Sequence, residues 1–319
     1  MRLHTMILLP SLIVVMLATG CAQPIRGTET ALPGSTAILT EPLTPTPTLN
    51  STNMPNAIPT LPEKQARSRL LELLANNGGC YLPCLWGITP GITTNLESRA
   101  ILLPLSGISI STHLSNNSPD SIWPTYTEGE LKTSADLRYI FESDGVISRI
   151  AFQVGEFQEL PDRRSPIYDS KTFGERLRPY MLPGILSEFG KPASVVIHTY
   201  GKQLTGSGGF EIVLLYPDQG MLVHYTTQMK TVGVNAVGCP ANAQVELELY
   251  PSGDADSFAK SLSSTIWGAF VLPEPIDDSH WKPIDKANSM SLEQFYETFR
   301  QPTEKCIETP LKGWYVPNQ

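Results

Sequence analysis

The chain of 319 residues holds little that would let it cross a membrane, bind nucleic acid or ligate a metal. Its leading apolar run, residues 6–17, is 12 residues long and interrupted by Pro10 and Ser11; a spanning helix needs about 20. A surplus of basic charge is absent: 23 Lys and Arg face 31 Asp and Glu, a net charge of −8. That balance excludes nucleic acid and electrostatic adhesion to anionic lipid. Of the five histidines, none stands in His-x-x-x-His or His-Glu-x-x-His spacing, so no helix-borne metal site is expected. Cysteine is also scarce, at five residues with no Cys-x-x-Cys. The spacing fits neither a paired zinc knuckle nor a thioredoxin-type motif. No cofactor and no metal are expected.

What is present begins with the leader. Arg2 and His4 precede the short apolar run, a length that suits a secretory h-region of roughly 7–15 residues. The run closes on Leu17-Ala18-Thr19-Gly20-Cys21. Small residues directly before a cysteine make this stretch resemble the signal peptides of bacterial lipoproteins, departing at Ala18, where that family most often carries Leu. The resemblance implies cleavage after Gly20, a diacylglyceryl thioether on Cys21, and anchoring in the plasma or outer membrane on the side facing away from the cytoplasm. Two acyl chains give stable attachment where one does not. Without the leader the chain carries 22 basic and 31 acidic residues, a formal charge of −9.

Residues 21–62 read as a lipidated cysteine and a linker. Eight prolines alternate with Thr and Ser, and only Arg26, Glu29 and Glu41 are charged. Repeated proline favours extended polyproline conformations. At about 3.1 Å per residue such a stalk reaches on the order of 120 Å when fully extended.

The remainder divides into units at 63–165 and 166–319. Thr60 and Glu63 have capping-box spacing, and Ala66, Leu70, Leu73 and Leu74 recur on one helical face ahead of Gly78-Gly79. Thr94 and Glu97 predict a helix over 95–103, and Thr172 and Glu175 a third cap. Leu177, Tyr180, Met181, Ile185, Leu186 and Phe189 give a further face, broken by Pro179 and Pro183. Ser291 and Gln294 open a last helix to Phe299. A short helix is read at 256–262. Strands are expected at 107–113, 137–142, 146–154, 194–200, 210–216, 221–227 and 244–250. Ser143-Asp144-Gly145 is a hairpin signal. Residues 116–127, around Trp123, and 163–170 read as loops. The order helix, strand, hairpin occurs twice. The fold class is α+β, antiparallel sheets with helices packed on one face, in two similar units.

Two further resemblances concern the folded part. The string Cys80-x-x-Pro-Cys84-x-x-Gly87-Ile88-x-Pro90-Gly91 is similar to one in bacterial lipoproteins and brings no activity with it. Gly91-Ile92-Thr93 and Gly190-Lys191-Pro192 resemble turns in the α/β modules of outer-membrane-assembly lipoproteins.

After Cys21, four cysteines remain: Cys80, Cys84, Cys239 and Cys306. An even set in an exported chain points to two disulfides, and of three pairings Cys80 with Cys84 and Cys239 with Cys306 is favoured. A redox pair is the functional alternative for the first. Three intervening residues, rather than two, argue against it. Ser257-x-x-Lys260 matches a serine acyl-enzyme pair but lacks its partner motifs. Gly206-Ser207-Gly208-Gly209 precedes a strand, not the helix N-terminus that a phosphate cradle needs. Asp277, Asp278 and His280 read as a solvated loop, and His198 and His224 as surface or hydrogen-bonded strand residues. The five tryptophans suit core packing before a glycan platform. No catalytic residue is assigned. The expectation is a membrane-anchored protein with a binding or structural role and an envelope protein or glycan as partner. An envelope hydrolase and a solute-binding lipoprotein are the alternatives.

Overall fold

A computed structural model of the chain describes residues 60–107, 110–113, 120–128, 131–141, 144–159, 164–167, 171–200, 208–253, 281–312 and 314. These residues all belong to one compact unit. The lipobox, Cys21, nearly all of the linker, Ser257, Lys260, the expected helix at 256–262 and the Asp277–His280 group lie outside them.

Helix α1, Glu63–Asn76, buries Ala66, Leu70, Leu73 and Leu74, the face read from the sequence. Each buried Leu contributes roughly 2 kcal/mol. Its N-cap is Pro62 and no side chain caps it, so the Thr60 capping box does not form. Instead the Leu61 N–H donates to the Pro104 carbonyl at 2.9 Å, drawing the entering chain onto the next segment. Helix α2, Asn95–Leu102, does have its box: Thr94 Oγ1 accepts from the Glu97 N–H, and Glu97 accepts from the Thr94 N–H.

The strands follow: β1 Ile110–His113, β2 Asp120–Glu128, β3 Leu131–Phe141, β4 Ile147–Glu159 and β5 Arg164–Ile167. Two of these correct the sequence reading. The stretch around Trp123 is strand β2, paired on both sides, and the 163–170 stretch contains β5 on the far end of β4. Proline cannot donate to a ladder, yet Pro124 stands opposite Ile110 of β1 and Pro166 opposite Phe157 of β4, while the β2–β3 register is interrupted between Ile122 and Thr125. The Asp144-Gly145 turn joins β3 to β4, with Asp144 Oδ1 accepting from the Val146 N–H.

Helices α3, Lys171–Arg176, and α4, Leu182–Phe189, come next, separated around Pro179 as their sequence predicts. Then come β6 Ser194–Tyr200, β7 Gly209–Tyr216, β8 Met221–Gln228, β9 Lys230–Val232, β10 Asn235–Gly238 and β11 Gln244–Leu249. The chain closes with β12 Lys282–Pro283, α5 Ile284–Ala287, α6 Leu292–Phe299 and β13 Ile307–Pro310. Ser291 and Gln294 form the capping box of α6.

One antiparallel sheet takes ten strands, in the order β1-β2-β3-β4-β11-β8-β7-β6-β12, with β5 also on β4. Its centre is the β4–β11 pairing, Ile150 opposite Leu249 through Val154 opposite Val245. Strands from 63–165 and from 166–319 thus share one hydrogen-bonded ladder. A second sheet, β13-β10-β9, stands apart from it. The fold is α+β. The main core lies where the large sheet meets α1, α4 and α6, and takes in Phe152, Tyr180, Tyr225 and Phe295.

A single side chain joins these parts. Asn77 caps α1 in the left-handed region, φ 55°, its N–H donating to Leu73. Its Nδ2 donates to the carbonyls of Cys80 and Cys84, both at 2.8 Å. Its Oδ1 accepts from the Trp86 N–H at 3.0 Å and lies 3.2 Å from the Tyr180 hydroxyl. Tyr180 Oη also accepts from Trp86 Nε1 at 3.1 Å. Burial pushes the Tyr180 pKa far up, so the hydroxyl keeps its proton. Trp86 and Tyr180 each lie 5.2 Å from Phe152 of β4, ring centroid to ring centroid.

Asn77→Ala strands several buried groups at once, each worth about 1–3 kcal/mol, and is expected to remove at least 3 kcal/mol of stability. Tyr180→Phe is expected to cost about 1–2 kcal/mol. Urea unfolding of the two variants checks the ranking. The Cys239–Cys306 bridge closes a separation of 67 residues. Its loss is expected to cost about 4 kcal/mol in the chain-entropy account, measured on Cys239→Ala/Cys306→Ala.

Candidate functional site

The four cysteines of the folded part pair as Cys80–Cys84 and Cys239–Cys306. Two neighbouring cavities share Pro179 and Glu188 as lining residues, and Cys80 lines the smaller one. The larger, a groove of about 800 Å³, is lined by Arg178, Met181, Glu188, Arg300, Pro302 and Glu304 among others. The smaller, a cleft of about 230 Å³, is lined by Tyr81 and Leu82 beside Cys80. In the larger, Ala241 and Glu304 each stand two residues from a bridged cysteine. The volume suits a small ligand or a peptide side chain. Arg178 and Arg300 supply positive charge; Glu175, Glu188 and Glu304 supply negative charge. Burial raises the Glu188 pKa above the usual carboxylate value.

The groove was not legible in the sequence. It is assembled from the end of α1, the α3–α4 turn and the segment after α6, which are far apart in the chain.

The second feature is a polar row across the face of the large sheet that turns away from the main core. Alternation places His198, Glu211, His224, Glu246, Glu248 and Arg149 there, on β6, β7, β8, β11 and β4. His198 Nδ1 and Glu211 are 2.7 Å apart. His224 lies 3.7 Å from Glu211 and 3.6 Å from Glu246. Glu248 pairs with Arg149 and accepts from the Tyr250 hydroxyl. Trp281 covers both imidazoles, 4.7 Å from His198 and 6.3 Å from His224, between ring centroids. The row continues into a small apolar patch of Val196, Val213, Leu215, Leu222, Tyr250 and Trp281.

This face is buried, although its charge predicts a wet one. Glu248 is 1 % exposed and His224 6 %. Among the described residues neither Glu246 Oε1 nor Glu248 Oε1 has a hydrogen-bond partner. Burial raises the Glu248 pKa against the opposing pull of Arg149 and Tyr250. For His224, burial favours the neutral ring, but Glu246, Glu211 and Glu248 outweigh it and the pKa rises. His198 and His224 are paired strand residues; of the sequence reading, surface or hydrogen-bonded, the buried His224 keeps only the second part. The three carboxylates and two imidazoles form a line rather than a cage. No group of three or more His, Cys, Asp or Glu among the described residues is arranged to hold a metal ion.

Trp86, Trp281 and Trp314 are all buried. The Trp314 indole donates to Thr309 Oγ1 and lies under the Lys282 ammonium, 4.7 Å from its ring centroid. These three indoles therefore offer no exposed stacking platform. No helix among the described residues is long and apolar enough to cross a membrane. Comparison with protein-family models, with curated protein sequences and with solved structures finds no match.

Glu248 and His224 both bind a proton more tightly folded than unfolded, above their ordinary values of 4.5 and 6.5. Their contribution to stability is complete below those values and is lost as pH rises through the folded ones. The contribution of these two groups to the melting temperature is therefore expected to fall as pH rises from 4.5 through and beyond 6.5. In His224→Gln the part of that fall above the imidazole's ordinary value should disappear. Differential scanning calorimetry across that range checks both statements.

Proposed function

We propose that the chain is a lipid-anchored extracytoplasmic protein, held at a membrane through Cys21, whose folded part serves a binding or structural role. One observation carries this reading. Four of the five cysteines are joined in two disulfides, and the fifth ends a lipobox-like leader. Disulfides persist in oxidising compartments, which is where such a leader delivers a protein. The Pro- and Thr-rich stretch at 22–62 fits a stalk between anchor and domain.

The larger groove favours binding over a purely structural role. It combines apolar walls with charges of both signs, as sites for small ligands and peptides do. A solute-binding lipoprotein is the second reading, and the groove's volume is what favours it. The acidic balance argues against nucleic acid as a partner.

In cells fed radiolabelled palmitate, the wild-type chain is expected to take up label and to partition into the detergent phase on Triton X-114 separation. Cys21→Ser is expected to lose the label and move to the aqueous phase. Undiminished label in Cys21→Ser would remove the anchoring reading.

A further inference from the structure

We propose that Cys80–Cys84 is an exchange-competent disulfide, which accepts two electrons from a dithiol of a partner protein. This goes beyond anchoring and stands or falls separately from it.

The spacing of the pair argued against redox work; the surroundings argue for it. The first point is access. Cys80 lines the 230 Å³ cleft together with Tyr81 and Leu82. Tyr81 is 78 % exposed, an aromatic side chain beside the sulfur with nothing packed over most of it. An approaching peptide therefore meets an apolar contact and a half-buried disulfide at one place.

The second point is that the loop does not depend on its bridge. Asn77 Nδ2 holds the carbonyls of both Cys80 and Cys84, the two residues that the bridge joins. The Cys84 N–H donates to Tyr81, and Leu85 and Ile88 exchange a pair of backbone bonds just beyond. Leu82, Leu85 and Trp86 are buried beneath the loop. Opening the sulfur–sulfur bond breaks none of these contacts. Both redox states can then share one backbone, which keeps the reorganisation on reduction small. Cys239–Cys306 differs, since it joins segments 67 residues apart.

The third point is the setting of the Cys80 sulfur. The Gly87 N–H points at it from 3.3 Å. The carbonyls of Asn77 and Cys84 lie 3.3 and 3.1 Å away. A reduced Cys80 thus finds acceptors for its thiol proton and a donor for its thiolate already in place. The Gly87 N–H favours the Cys80 thiolate as leaving group, while the two carbonyls favour the thiol that remains after exchange.

The exchange balances in two steps. A partner thiolate attacks Cys80 Sγ; a new sulfur–sulfur bond forms, the Cys80–Cys84 bond breaks, and Cys84 leaves as a thiolate that takes a proton. The partner's second thiolate then attacks its own sulfur in the mixed disulfide and releases Cys80. The partner dithiol is oxidised to a disulfide and the Cys80–Cys84 pair is reduced to two thiols.

The test starts from the oxidised full chain, titrated with dithiothreitol, alkylated and mapped by mass spectrometry. Cys80 and Cys84 are expected to become alkylated at a dithiol concentration about tenfold or more below that needed for Cys239 and Cys306. The near-UV circular dichroism of the buried Trp86 should persist through this first opening. Alkylation of all four cysteines together, or collapse of that signal as Cys80 and Cys84 open, would overturn the proposal. A second measurement uses a dithiol peptide. One equivalent of peptide disulfide per chain is expected with the wild type and none with Cys80→Ser/Cys84→Ser. Peptide oxidation that survives in Cys80→Ser/Cys84→Ser would assign the reaction elsewhere and refute it.

Discussion

The fold hangs on one buried amide. Asn77 gives both amide donors to the Cys80 and Cys84 carbonyls and accepts from the Trp86 N–H, while the single Tyr180 hydroxyl proton is shared between Asn77 Oδ1 and the Leu73 carbonyl. Its backbone ends α1 in a left-handed conformation that asparagine tolerates better than most residues. Helix, loop and the α3–α4 turn are therefore fixed by the same few atoms. The energetic weight comes from burial. In a low dielectric a satisfied amide rigidifies its surroundings, and an unsatisfied one is costly. Tyr225 of β8 extends the connection by donating to the Tyr180 carbonyl at 2.9 Å. Through Phe152 and Tyr225 the node reaches two central strands of the sheet.

The two disulfides serve different ends within that frame. Cys239–Cys306 joins the segment between β10 and β11 to the one between α6 and β13, and it restricts a long stretch of unfolded chain. Cys80–Cys84 spans four residues in a loop that Asn77 already shapes, so its entropic contribution is small. A bridge that adds little to stability, beside an exposed tyrosine and an open cleft, is better explained by chemistry than by stapling.

Local chemistry was the part of the fold most legible in the sequence. The faces of α1 and α4, the Thr94 and Ser291 capping boxes and the Asp144-Gly145 turn depend on neighbours within a few residues, and all were readable. Strands containing proline were not, because proline lowers the strand signal wherever it stands and only the partner strand shows that pairing continues around it. The Thr60 box failed for a related reason. A tertiary bond from Leu61 to Pro104 set the path of the entering chain, so helix α1 starts from Pro62. The candidate groove left no signal at all, since its walls come from distant segments. Of the polar row, the sequence showed alternation in β11, with Glu246 and Glu248 on one face and Val245, Leu247 and Leu249 on the other. Alternation identifies two faces. It does not say whether the charged one is wet.

That last ambiguity has a physical consequence. An antiparallel sheet commonly leaves one face to solvent. Here the strands β7, β8 and β11 are buried on both, and the second face holds ionisable groups rather than hydrocarbon alone. Such a face is stable only while its charges balance. With His224 protonated, its ring stands between Glu211 and Glu246, and Arg149 answers Glu248. With it neutral, that positive charge between the two carboxylates is lost and the balance along the line shifts toward buried negative charge. Covering the row with Trp281 strengthens every interaction in it, favourable or not, because a low dielectric magnifies both. The acid-side stability of this face is therefore a property of the whole line of groups across neighbouring strands. It would not be removed by any change that leaves the line intact.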